Sequence, residues 1–419
     1  MKTKIALTFL YIIIFPAINT IDFTLLTYPY NNESFTRLSY PYKGISNYNI
    51  SQSVTYEVEL NFTLTHKSPG TGTYIFKFAR LDNRGPTSSL TPYCPPYQES
   101  VLLTNSTSGN IPSETSFGHH DKFNNTYDSF NASLAPDESV YYYQKYNITL
   151  NEIYFHDIDA ADIGVYDTSN VIFDLYCNHS EPYYERDDPS LINCSNNIIS
   201  PLDNPVEKAE KICDWVSNYL TYNDLLPVQE KGALWAYNNQ QGDCSEFSSL
   251  MITLLRIQGI PARKVCGFLL SNNPSTRPKD GSSWNFYVNQ LSNTILGHAW
   301  VEYYIENIGW IACDPTWNKV INYFNRIDFL RFNLVAGSNI FFPPSDTVSE
   351  FGNPIFGRNI GATFEYDYQV DISVLESDLT PIKPFPIFSI IFIIIGLFAV
   401  VIVILLLIRR GSKKETFEY

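Results

Sequence analysis

Cationic side chains are scarce in this 419-residue chain: 28 Lys and Arg stand against 43 Asp and Glu, a formal net charge of −15. That balance argues against a nucleic-acid partner and against a basic patch for an anionic membrane surface. No C-x-x-C spacing occurs among the seven Cys residues, which argues against a structural zinc site. No calcium-loop pattern is present. The adjacent His119 and His120 lie in a loop-rich stretch and read as surface residues, so neither a metal nor another cofactor is expected. No internal repeat is visible. Tryptophan is absent from the first 200 residues, and all six lie between Trp215 and Trp317, which predicts two domains of different construction.

Long apolar runs occur only at the two ends. Residues 1–19 read as a secretory signal: Lys2 and Lys4, an apolar run from Ile5 to Phe15, then Pro16 and small residues. An uncleaved N-terminal anchor is the alternative. Residues 387–408 are uncharged, with Ser389 as the single polar side chain. As a helix they would span roughly 33 Å, enough for a hydrocarbon core of about 30 Å. Arg409, Arg410, Lys413 and Lys414 follow, which predicts a cytoplasmic tail over 409–419 and a cell-membrane protein with an outward-facing ectodomain. Sequons at Asn32, Asn49, Asn61, Asn105, Asn124, Asn131, Asn147, Asn178 and Asn193 suggest a glycan-decorated N-terminal half.

Residues 20–200 read as a β-sandwich-like domain. Val54, Tyr56, Val58, Leu60, Phe62 and Leu64 alternate with polar residues, the pattern of a strand with one wet face. Ser68-Pro69-Gly70 breaks the chain and Tyr74 to Phe78 reads as the return strand. Tyr146 to Leu150 and Val171 to Tyr176 are further strand candidates, and 86–138 reads as long loops. From Pro201 the spacing turns helical. A compact domain is expected over 201–335, followed by a Pro-rich stalk over 336–386 with one strand at 363–370.

Gly242-Asp243-Cys244-Ser245-Glu246-Phe247 has the form of a capped helix start, with Asp243 as N-cap and Glu246 completing a capping box. Gly259 and Pro261 end the helix. Cys244 in its first turn would sit near unpaired N–H groups and the positive end of the helix dipole, which lowers a thiol pKa. His298 is the only His after His179. It lies on a predicted strand that a turn at 306–309 joins to the strand carrying Asp314. Antiparallel pairing would bring His298 and Asp314 together, one ring nitrogen bonded to the carboxylate and the other facing the thiol.

Four segments now resemble a family. They are Gly242-Asp243-Cys244-Ser245-Glu246-Phe247, Gly259-Ile260-Pro261-Ala262-Arg263-Lys264-Val265, Gly297-His298-Ala299-Trp300-Val301-Glu302, and Gly309-Trp310 with Asp314-Pro315-Thr316. In this order they resemble the transglutaminase-like core over about 205–335. The resemblance implies an α+β papain-like fold: a helix carrying the Cys, packed on an antiparallel sheet carrying His and Asp. It also implies acyl transfer at an amide through a Cys244–His298–Asp314 triad and a thioester. The Cys244 N–H would serve as one oxyanion donor, with Tyr222 as a second candidate and Gln240 and Gln241 behind it. Trp300, Trp310 and Trp317 are read as core residues that could line the cleft, and 271–283 as either a lid or a plain surface loop.

An odd number of Cys leaves at least one free thiol in an oxidising compartment, and Cys244 is the natural one. Cys177 and Cys194 could be bridged, whereas Cys94, Cys213, Cys266 and Cys313 have no evident pairing. The expected activity is a cell-surface thiol enzyme acting on protein or peptide amides, by hydrolysis or by cross-linking. The alternatives are an inactive adhesion or scaffold protein, and an amidase of glycan or cell-wall peptides.

Overall fold

The computed structural model describes residues 48–85, 94–109, 115–121, 123–156, 158–226, 230–337, 350–351 and 364–379. The expected signal at 1–19, the apolar segment at 387–408 and the tail at 409–419 lie outside them. Among the described residues no helix is long and apolar enough to cross a membrane.

The first half supplies β1 (Tyr48–His66), β2 (Gly72–Ala79), β3 (Gln98–Gly109), β4 (Thr115–His120), β5 (Thr126–Leu134) and β6 (Ser139–Phe155). Helices α1 (Val171–Tyr176), α2 (Pro189–Ile198) and α3 (Pro205–Tyr219) follow, then β7 (Thr221–Tyr222), α4 (Ala233–Asn239), β8 (Gln241–Gly242) and α5 (Cys244–Ile257). The remainder is β9 (Ala262–Leu269), β10 (Ser283–Asn289), β11 (Leu296–Ile305), β12 (Gly309–Cys313), β13 (Arg326–Ile327), β14 (Arg331–Gly337), β15 (Glu350–Phe351) and β16 (Phe364–Asp378).

The alternation in β1 does what its period of two requires: Val54, Tyr56, Val58, Leu60, Phe62 and Leu64 are all buried. β1 pairs antiparallel with β6 on one side and β16 on the other, in a sheet ordered β10-β16-β1-β6-β13 with β3 also on β6. A second sheet, β15-β2-β5-β4, faces it. Aromatic rings fill the space between them: Phe62 lies 5.6 Å from Phe76, Phe78 4.6 Å from Tyr142, and Phe130 5.4 Å from Tyr142. Such pairs contribute about 0.5–1.5 kcal/mol each beyond their buried area. The return strand predicted after Ser68-Pro69-Gly70 exists as β2, but it crosses to the second sheet instead of pairing with β1.

A further four-stranded sheet is ordered β12-β11-β9-β14, with α5 packed against it. Buried residues 246–256 leave α5 no wet face, so the helix is covered all round. Its polar residues are accommodated locally: the Ser248, Ser249 and Thr253 hydroxyls donate to the carbonyls four residues back, each at 2.8 Å. Gly259, at φ +74°, ends the helix. The Ile260 N–H donates to the Leu255 carbonyl and the Gly259 N–H to that of Arg256, the paired bonds of a glycine-terminated helix.

Four expectations are corrected. Residues 364–378 are not stalk: β16 is an inner strand of the large sheet, paired with β1 and β10, because its even-numbered residues from Phe364 to Val374 are apolar and bury between neighbours. The stretch 86–138 is not mainly loop but carries β3, β4 and β5. Val171–Tyr176 is a helix, capped by the Asn170 side chain on the Ile172 N–H. The boundary at 200 also fails, because one apolar core runs from Cys94, Tyr97, Phe123, Ile153 and Phe155 through α1–α5 to β11 and β12. The described chain up to Asp378 is a single compact unit.

Of the sequons, Asn178 and Asn193 are exposed, whereas the Asn105 amide donates to buried Asp128 at 2.8 Å.

Candidate active site

Cys244 is the first residue of α5. The Asp243 carboxylate accepts from the Ser245 N–H at 2.7 Å, and Glu246 reaches back to the Asp243 N–H at 3.1 Å. The other Glu246 oxygen takes the Lys231 N–H at 2.8 Å. Gly242 is required here, since a Cβ would lie 2.4 Å from that of Glu246. The parallel pairing of Tyr222 with Gly242, through β7 and β8, holds the 221–222 segment beside the helix start.

Cys244 is half-buried, and the six other cysteines are buried. The Ala299 N–H, one residue beyond His298 on β11, is the donor that acts on its sulfur. Burial and the Asp243 carboxylate push this thiol up, opposed by the Ala299 hydrogen bond. The helix end favours the thiolate, and burial works against it by taking water from the sulfur.

His298 Nε2 lies 2.7 Å from Asp314 Oδ2, which leaves Nδ1 as the ring's other proton site. The predicted hairpin makes this contact. β11 and β12 pair Val301 with Cys313, and the turn residues Asn307 (φ +69°) and Gly309 (φ +110°) close it. His298 and Asp314 are 5% and 1% exposed, so the pair is out of solvent. The Asp314 carboxylate also accepts from Arg331 Nη2 at 2.7 Å and from the Thr316 N–H at 3.0 Å. Burial opposes its charge, but His298 and Arg331 together hold it well below the usual carboxylate range.

Rings of Trp300 and Trp317 flank the imidazole, at 6.2 and 6.3 Å. Trp300 and Trp310 are core residues, whereas Trp317 keeps part of its surface. Gly267, opposite His298 on β9, admits β14, because a Cβ there would come within 1.7 Å of the Phe332 carbonyl oxygen.

The Tyr222 phenol, about half exposed, is pushed up by burial and by the charges of Cys244 and Asp243. Gln240 is exposed, in the left-handed backbone region at φ +53°, with its carbonyl taken by the Thr221 N–H. Gln241 accepts from the Asn223 side chain at 3.0 Å. The 271–283 segment is tied to β16: Ser377 donates to the Pro278 carbonyl at 2.7 Å and the Gly281 N–H to that of Val374. An open groove of ≈ 660 Å³ on α2–α4, lined by Asn193, Trp215 and Tyr237, involves none of Cys244, His298 and Asp314.

All seven thiols are free, so the Cys177–Cys194 bridge is not formed. The Cys177 sulfur instead points at the Arg256 carbonyl, 3.7 Å away, while Cys194 faces the groove on α2. Among the described residues no cluster of His, Cys, Asp and Glu is arranged to hold a metal ion.

The supporting residues do not stand out in the sequence. Arg331, Asp328, Tyr323 and Tyr97 surround Asp314 or its strand. The one signal for Arg331 is a lone charge inside the apolar run Phe329 to Val335.

A cysteine at a helix start and a buried histidine–aspartate pair share one α+β core. Residues 192–315 match the family model described as the transglutaminase-like superfamily, and this core belongs to that superfamily. The chain is 32% identical over 120 residues to the uncharacterized protein YebA of Bacillus subtilis, a match covering 27% of this chain and 16% of YebA. It is 33% identical over 82 residues to the protein-glutamine gamma-glutamyltransferase of Pseudomonas aeruginosa, covering 19% of this chain and 11% of that protein. The chain thus spans less than a fifth of the length of either relative. A candidate cysteine protease from Cytophaga hutchinsonii has a solved structure that aligns with a TM-score of 0.46 at 16% identity, over 81% of this chain and 96% of that one. The periplasmic domain of TgpA from Pseudomonas aeruginosa aligns with a TM-score of 0.28 at 16% identity, over 65% and 96%.

Proposed function

We propose that this protein is a cysteine-dependent enzyme acting on amide bonds of proteins or peptides at the cell surface, with Cys244, His298 and Asp314 as its catalytic residues. The observation that carries the reading is Cys244 at the start of α5, a helix packed on the strand that bears buried His298, whose Nε2 is tied to Asp314.

The chemistry follows from the protonation states. A buried thiol is a poor nucleophile until a base takes its proton. His298 Nδ1 is the base, and Asp314 holds the ring in the tautomer with hydrogen on Nε2 and stabilises the imidazolium that forms. The sulfur adds to the amide carbonyl, and the negative oxygen is held by the Cys244 N–H, with the Tyr222 hydroxyl beside it. Collapse expels the amine, which takes the proton from His298, and leaves a thioester on Cys244. Water activated by His298 then releases the acid in a hydrolase; a primary amine takes the acyl group in a transglutaminase. The half-exposed Tyr222 side chain favours water, while the Pseudomonas relative's name supports the amine.

The location belongs to the same proposal. A signal at 1–19 and a membrane-spanning segment at 387–408 would present the site outside a single-pass anchor, and sequons such as Asn178 and Asn193 would carry glycans.

The test uses the full-length chain. Iodoacetamide should label Cys244, and His298→Ala should slow that labelling by about 100-fold or more. Equal rates in the two proteins would sink the reading. Offering peptide substrates with and without a primary amine then separates hydrolysis from transfer.

A further inference from the structure

We propose that Arg331 is a positioning residue of the thiol site, fixing the Asp314 carboxylate against His298 and anchoring it to Asp328. This rests on the catalytic reading of Cys244, His298 and Asp314.

One guanidinium serves two carboxylates. Arg331 Nη2 donates to Asp314 Oδ2 and Nη1 to Asp328 Oδ1, each at 2.7 Å. The Asp314 oxygen that it holds is the one that meets His298 Nε2. With the Thr316 N–H on Oδ1, Asp314 has donors on both oxygens and cannot rotate without breaking one. Buried Arg331 Nε has no hydrogen-bond partner, so the fork gives up one bond while bridging both acids. Only a planar guanidinium offers two donors in this geometry.

The anchor continues into the large sheet. Asp328 accepts from the Tyr323 hydroxyl and from the Leu330 N–H at 3.0 Å. The Arg331 plane lies over the Tyr323 ring at 4.2 Å and the Trp317 ring at 5.1 Å. Tyr56 on β1 donates to the Phe329 carbonyl at 2.9 Å, and its ring packs 5.1 Å from that of Phe332. The segment carrying Arg331 is therefore fixed on both sides, and its charge is delivered to one atom of the site.

A buried ion pair of purely structural kind would give stability alone. Positioning predicts a chemical signature as well. The groups facing Asp314 are His298 from β11, Arg331 from β14, and Cys244 and Tyr222 from the helix-start side. Without Arg331, burial acts on Asp314 against His298 and the Thr316 N–H only, and its protonation rises into the mildly acid range.

The experiment measures Cys244 labelling by iodoacetamide against pH in the full-length chain. Arg331→Met should lose labelling as pH falls below about 6, becoming at least about tenfold slower than wild type near pH 5. Arg331→Lys, which keeps the charge, should retain the wild-type acid limb. In an Asp314→Asn background, Arg331→Met should change the rate less than about twofold, because the two act through one atom. Wild-type profiles for Arg331→Met, or slowing that is undiminished in the Asp314→Asn background, would overturn the proposal. If circular dichroism shows Arg331→Met unfolded, Asp328→Asn decides: it should slow labelling at low pH, and an unchanged profile overturns the proposal. A wild-type rate no faster than His298→Ala would sink the thiol reading and this proposal with it. A histidine-dependent rate insensitive to Arg331 sinks this one alone.

Discussion

The Tyr97 hydroxyl donates to the Trp310 carbonyl at 2.7 Å and accepts the Ala312 N–H at 3.0 Å, so a side chain from the first half of the protein grips the strand that ends at Asp314. It is not the only such grip. The Gln98 side chain exchanges two bonds with Asn333, at 3.0 and 2.9 Å, and Asn125 does the same with Ala336, at 2.9 and 2.8 Å. Arg84 reaches Glu302 on the histidine's strand at 2.7 Å, where Arg263 also pairs with it. The sandwich thus works as a brace for the three strands that carry His298, Asp314 and Arg331.

Tyr97→Phe tests the brace. It leaves the buried Trp310 carbonyl and Ala312 N–H without a partner, a cost of about 1–3 kcal/mol. Urea unfolding should show that loss, and labelling of Cys244 should slow along with it. Unchanged labelling at reduced stability would confine Tyr97 to folding.

Asp314→Asn tests the orientation of the histidine. The amide keeps a hydrogen-bonding group beside Nε2 but removes the charge that stabilises the imidazolium. Turnover of a susceptible peptide should fall by about 10³–10⁴-fold with little change in KM.

Gly267→Ala tests the packing of β9 against β14. The new methyl would meet a backbone oxygen at 1.7 Å, which no side-chain rotation relieves. A loss of about 3 kcal/mol or more is expected, read as a drop in Tm or as insoluble protein.

Glu246 gives a pH test. Burial, then the charge of Asp243, pushes its carboxyl from 4.5 up to about 7. A raised folded-state pKa contributes stability that is complete below the ordinary value and is lost as pH rises through the folded one. Unfolding free energy should therefore decline from about pH 5 to about pH 8. Glu246→Gln should flatten that decline, at a cost of about 1 kcal/mol because one amide oxygen cannot accept both N–H groups. An unaltered slope would assign it to other groups.

Several elements are legible in the amino-acid sequence alone. The alternation of β1, the capping box at Asp243 and Glu246, the glycine stop at Gly259 and the hairpin between His298 and Asp314 are each encoded by neighbours in the chain. Local rules read them correctly because each depends on residues at most about 16 positions apart. β16 reads as stalk for the opposite reason. Its alternation is as plain as that of β1, but its partner β1 lies near the other end of the chain, and the Pro-rich segment before it hides its membership of the sheet.

The sequence by itself determined which residues could do chemistry: one cysteine at a capped helix start, one histidine in its domain and one aspartate a hairpin away. Tertiary structure alone decided the state of those residues. Burial pushes the thiol at the helix start up, because its sulfur loses water in the folded chain. It also brought Arg331 onto the Asp314 oxygen that His298 uses, and Tyr97 onto the strand behind it. Such contacts between distant segments leave no periodicity to read, since they arise only when separate strands are packed side by side.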